Sequence, residues 1–203
     1  KEIKLEIENN EEDSEKSIHK ELEIGNKIYE ILGKYTKSKD EYMCTMYFLD
    51  ETKTLELEKK YHNSQICVGI IMIDNFEEVN QRINDEEKPV LTAQIEKTIY
   101  EWAAEFKGLV VKSERDTFVC IFEQQYLEKL KEKKFNILDT IKELELSNKV
   151  QITLSISIST EGESNYEKYK SAQAGLDIVL GRGGDQTVVR ENGKYQFFGG
   201  KTQ

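Results

Sequence analysis

Residues Ile66–Ile73 read ICVGIIMI, a run with no polar side chain and no alternation. A strand that shows apolar groups on both faces belongs in the middle of a covered sheet. The residues after Ile73 supply the cover. A short helix is expected over 76–83. Pro89 suits a first helical turn, and Leu91, Ile95, Ile99, Trp102, Ala103 and Phe106 recur at three- or four-residue spacing, a long amphipathic helix. Residues 108–111 and 117–122 are strands joined by a tight turn over 113–116. One or two helices occupy 126–144. Residues 150–158 alternate through Ile152, Leu154, Ile156 and Ile158, which predicts a half-buried strand. Ser164-x-x-Glu167 is a capping box that opens a helix with Tyr166, Tyr169, Ala172, Leu176 and Val179 on one face. Two short strands, 186–190 and 194–198, close around Asn192-Gly193, a strong hairpin turn. This order predicts an α+β class with a ferredoxin-like core and additions.

Residues 1–50 have a different texture. A polar, acidic loop is expected over 9–16, a strand over 27–37, a turn at 38–40 and a second strand over 41–49, giving an antiparallel hairpin. Asp50-Glu51-Thr52 then caps a helix over 52–62. The chain is therefore divided into 1–51, a linker helix 52–64, and 65–203. A net charge of −10 argues against a nucleic-acid partner, which needs concentrated Lys/Arg. The densest basic stretch, 129–134, is expected to be the wet face of a helix. The longest apolar run, Ile66–Ile73, is too short to span a membrane. With no initiating Met and no signal peptide, the chain reads as a soluble piece of a longer protein. Cys44, Cys67 and Cys120 are odd in number and scattered through apolar runs, which fits buried thiols in a reducing cytosol. Only His19 and His62 supply imidazoles.

Two carboxylates carry the candidate chemistry. Asp74 follows the central strand and Asp116 sits in the hairpin turn. In such a core these lie side by side and could hold Mg2+ on a nucleoside triphosphate, since Mg2+ takes hard oxygen ligands. Alternatively Asp74 caps the next helix and Asp116 makes an Asx turn. Spacing alone favours the alternative. Gly181-Arg182-Gly183-Gly184-Asp185 is read as a helix stop with left-handed glycines rather than a phosphate cradle, because it comes after a helix instead of opening one. Arg182 and Asp185 are expected to tie that turn to a neighbour. Gly199-Gly200-Lys201-Thr202 ends like a P-loop, but Tyr195 holds the position of the first glycine, so the stretch is read as an exit linker.

IMIDNFEEVN resembles the D-x-D-x-F-x-x-x-N segment of nucleotide-cyclase-type GGDEF domains. Asp74, Phe76 and Asn80 match, while Met72 stands where the family has its principal metal carboxylate. Glu114-Arg115-Asp116-Thr117-Phe118 lies where the family has G-G-D/E-E-F, matching at Asp116 and Phe118 and lacking both glycines. The family's allosteric R-x-x-D is absent too. The resemblance implies a degenerate site that no longer makes cyclic-di-GMP. It makes Asn80 a purine-recognition position and Asp116 a second nucleotide contact. With LGRGGDQ and FFGGKT, the pattern is similar to the middle region of GdpP-type (YybT-type) cyclic-di-AMP phosphodiesterases. In these, transmembrane helices and a small PAS domain precede a degenerate GGDEF domain, and a DHH-type module comes after it. The resemblance implies that 1–51 is part of the PAS domain and that the parent sits on the cytoplasmic face of the membrane. Hydrolysis of cyclic-di-AMP to pApA with Mn2+ belongs to the DHH module, which is absent here. It further implies haem at the full PAS domain, with His19 the one imidazole in this portion, and weak ATP hydrolysis with Mg2+ at Asp74 and Asp116. The expected partners are the upstream and downstream parts of the parent, a nucleotide and, through the linker helix, a second copy.

Overall fold

The computed structural model describes residues 16–38, 41–144 and 151–199. The expected loop over 9–16 therefore falls almost wholly outside the described residues, as do most of the 38–40 turn and the linker beyond Gly199. The chain divides into two compact units, residues 1–61 and 62–203, so the division falls inside the linker helix.

The first unit is an antiparallel sheet of β1 (Lys16–Ile24), β2 (Lys27–Ser38) and β3 (Glu41–Asp50), in that order. β1 adds a strand to the expected hairpin; Lys20 interrupts the alternation of Ile18, Leu22 and Ile24. It pairs with β2 through a turn at Gly25, whose φ of 65° lies in the left-handed region glycine tolerates. Ile31 is buried opposite Phe48, and the Phe48 ring meets Tyr29 edge-on at 6.5 Å. Cys44 is exposed, contrary to the expectation of a buried thiol, as is every β3 residue from Met43 to Asp50 on either face. α1 (Thr52–Ser64) starts where Asp50 Oδ1 accepts the Thr52 hydroxyl at 2.7 Å and the Thr52 amide at 3.3 Å.

The second unit is a six-stranded sheet in the order β5-β6-β4-β7-β8-β9. Its strands are β4 (Ile66–Ile73), β5 (Leu109–Lys112), β6 (Thr117–Glu123), β7 (Leu154–Ser159), β8 (Gln186–Glu191) and β9 (Lys194–Gly199). β4 is central, antiparallel to β6 and β7, as its apolar run requires. The one parallel pair among the described residues, β7 with β8, is bridged by α6 (Asn165–Gly181), the crossover such a pair needs. Cys67, Ile71 and Ile73 face a large core shared with α2 (Phe76–Arg82), α3 (Glu87–Ala104), α4 (Leu127–Glu132) and α5 (Ile137–Lys142). Ile70 and Met72 face the other way, under Ala172 and Leu176 of α6.

Three expectations are corrected. β7 is not half-buried: all its residues are inside, because α6 covers the face carrying Ser155, Ser157 and Ser159. Gly175 makes that contact close enough that a Cβ there would lie 2.3 Å from Ser157 Oγ. The stretch 129–134 is not uniformly wet. The Lys131 side chain is only 10% exposed, with Nζ bonded to Glu191 at 2.5 Å and Glu128 at 2.7 Å. Tyr166, placed on the buried face of α6, is 67% exposed because it precedes the contact. The Ser164–Glu167 capping box and the Asn192-Gly193 hairpin, with φ of 51° and 71°, are present as expected.

Candidate functional site

The sheet brings the end of β4 beside the β5–β6 turn. Ile73 N–H donates to the Asp116 carbonyl at 2.9 Å, and Asp74 N–H donates to the Thr153 carbonyl at 3.0 Å. Asn75 locks the same corner, donating to Gln151 O at 2.7 Å and accepting from Thr153 N at 3.2 Å. The candidate carboxylates are thus neighbours in the backbone ladder.

Their side chains are each engaged by the protein. Asp74 Oδ2 accepts the Asp185 amide at 3.0 Å. Its Oδ1 is buried without a hydrogen-bond partner among the described residues. Asp74 does not cap α2, whose N-cap is Asn75 with no side-chain cap bond. It anchors the glycine turn after α6 instead. That turn is a helix stop, as expected. Gly184 N–H returns to Val179 O at 3.0 Å, and Gly183, Gly184 and Asp185 have φ of 101°, 73° and 58°. Gly184 is required there, since a Cβ would stand 2.8 Å from Asp74 Oδ2. Asp185 also pairs with Lys142 of α5 at 2.7 Å. Arg182 bonds Gln186 at 3.2 Å and lies 4.4 Å from the Phe197 ring centroid. Asp116 Oδ1 accepts the Thr117 hydroxyl at 2.9 Å. Among the described residues no three His, Cys, Asp or Glu side chains gather as a metal-binding group.

Asn80 lies elsewhere, in an open groove of about 700 Å³ formed by α2, the start of α3 and the β5–β6 turn. Phe76, Glu77, Lys88, Thr92, Glu96 and Arg115 also line it, whereas Asp116 does not. The Arg115 guanidinium lies 5.9 Å from the Phe76 ring centroid and 3.6 Å from Glu77. Lys112 neutralises Glu96 at 2.7 Å. Sequence reasoning does not find Arg115, Lys88 and Thr92. The one available signal is an Arg at a position where related turns carry glycine. Cys67 and Cys120 sit in the core, where burial pushes both thiols up to about 12, so neither is a nucleophile.

This α+β sheet with its glycine-stopped α6 has the fold of a nucleotide-cyclase-type GGDEF domain. It matches the GGDEF domain of DgcB from Caulobacter crescentus in complex with c-di-GMP at a TM-score of 0.55 and 17% identity, covering 68% of this chain and 86% of that one. It matches the active GGEEF domain of a diguanylate cyclase from Vibrio cholerae at 0.56 and 14%, covering 68% and 92%. More particularly, residues 71–197 match the family described as cyclic-di-AMP phosphodiesterase GdpP-like, GGDEF domain, and the chain belongs to that family. Cyclic-di-AMP phosphodiesterase GdpP of Geobacillus thermodenitrificans is 35% identical over 158 residues, and that of Bacillus subtilis 33% over 158 residues. Both alignments cover 77% of this chain and 24% of the relative, so the chain spans about a quarter of their length.

Proposed function

We propose that this chain is the sensory and relay part of a membrane-anchored cyclic-di-AMP phosphodiesterase, and that its cyclase-like unit no longer makes cyclic-di-GMP. A DHH-type module elsewhere in the parent would carry the Mn2+ and hydrolyse the messenger to pApA. The observation that carries the reading is Met72. At the position of the family's first metal carboxylate, its thioether packs beside Ile70, Ala172 and Leu176, and a thioether is a poor ligand for Mg2+. In the turn, Glu114 and Arg115 stand where glycines would let phosphate approach the backbone.

The sheet of β1–β3 is the end of a PAS-type sensor in this reading. Its described residues suit haem poorly: the His19 side chain is 69% exposed and its Nε2 is held by Glu30 at 2.6 Å. The ligand that supports a regulatory role is a nucleotide in the Asn80 groove, where an aromatic face, an amide and cations converge. A second reading, weak ATP hydrolysis at Asp74 and Asp116 with Mg2+, has their backbone adjacency at the β4 end behind it and the engagement of both side chains, by the Asp185 amide and the Thr117 hydroxyl, against it. Turnover that survives Asp74→Asn with Asp116→Asn would remove it.

The deciding experiment has two arms. The purified chain with GTP and Mg2+ should yield no cyclic-di-GMP. In the parent, ATP should change the rate of cyclic-di-AMP hydrolysis, and Asn80→Ala should abolish that response. Cyclic-di-GMP formation, or a parent indifferent to nucleotide, would sink the reading.

A further inference from the structure

We propose that the Asn80 groove takes nucleotide phosphate on the Arg115 guanidinium and needs no divalent cation to do so. This rests on the nucleotide reading above and departs from the chemistry expected of the fold. Mg2+ demands an octahedral shell of oxygens close to ideal geometry. Asp74 gives one oxygen to the Asp185 amide and buries the other, with Gly184 packed against the carboxyl. Asp116 is turned to Thr117 and does not line the groove. Met72, which would complete the set, is in the apolar layer under α6. These residues do not fit the cation.

Arg115 supplies what the cation would have supplied. Its side chain is 80% exposed at the groove lip, beside the Phe76 ring, with a pairing to Glu77 of 3.6 Å that is too long for a strong hydrogen bond. A guanidinium presents a planar fork that matches phosphate oxygens in pairs, and an exposed ion pair of that length holds it weakly. Phosphate therefore displaces Glu77. Lys88 on the α3 wall is already held by Asp85 at 2.5 Å, and Lys112 cancels Glu96 at 2.7 Å, so Arg115 is the cation the proposal rests on. Glu77 remains as the nearest repulsive charge.

Titration calorimetry on the full chain tests this, with ATP in excess EDTA, ATP with Mg2+, and adenosine. The expected result is ATP binding that changes less than about threefold between EDTA and Mg2+. Arg115→Ala should weaken ATP roughly tenfold, leave adenosine unchanged, and leave the melting temperature unchanged, since the residue is a surface one. Arg115→Lys should recover part of the loss. Glu77→Gln should tighten ATP. Binding of ATP in Mg2+ but not in EDTA would overturn this proposal and leave the nucleotide reading standing. Equal binding with no effect of Arg115→Ala would overturn the role of Arg115. Failure of ATP to bind in either condition would overturn both.

Discussion

At the scale of single residues, Asp74 shows how one carboxylate can be redirected. Deleting it leaves the Asp185 amide without its acceptor in a part-buried site, at a cost of about 2 kcal/mol. Gly184→Ala meets the same carboxyl and also forces a Cβ onto a φ of +73°, again costing about 2 kcal/mol. Because the clash is with Asp74, the double variant Asp74→Ala/Gly184→Ala should be less destabilised than the sum, as measured by urea unfolding. Additivity would show that Gly184 is there for its backbone angle alone. The thiols give a second test. Ellman's reagent at pH 8 should titrate Cys44 promptly and reach Cys67 and Cys120 only on unfolding. Their raised folded pKa also sets a sign. This contribution to stability is complete below the unfolded value of about 9 and falls as pH rises from there toward about 12. A thiol variant pair, Cys67→Ala with Cys120→Ala, should flatten that alkaline decline.

At the scale of elements, the contact of α6 with β7 decides the second core face. Periodicity makes β7 a half-buried strand, since serine reads as polar. The serines are inside because α6 lies close enough to exclude water, and Gly175 sets that distance. Gly175→Ala should cost about 2 kcal/mol by overpacking. Adding Ser157→Ala should recover much of it, because Ser157 Oγ is the nearest clashing atom at 2.3 Å. Thermal melts of the single and double variants check this. No recovery would place the strain at Val188, whose Cγ1 is 3.2 Å away. By contrast, the α6 start and the β8–β9 turn are legible, because Ser164-x-x-Glu167 and Asn-Gly act within a few residues.

At the scale of the whole molecule, α1 runs across the division between the two units. If it relays a ligand state, it must behave as a rigid rod. A Glu58→Gly change weakens a solvent-facing helix by about 1 kcal/mol without touching either core. On the function proposed above, in the parent it should reduce the response of cyclic-di-AMP hydrolysis to a ligand bound by the first unit, while leaving the basal rate and the response to ATP in the Asn80 groove unchanged. A full response would exclude α1 from the relay. The elements of the second unit, their order and its family resemblance were all written in short-range patterns: an unbroken apolar run, helical spacing, caps and turns. Each depends on neighbours a few residues away, so sequence alone determined it. The use of Asp74 by Asp185, the company of Arg115 with Asn80, and the burial of Lys131 and the β7 serines join residues from separate elements. Only folding brings such groups together, so only the tertiary structure decided them.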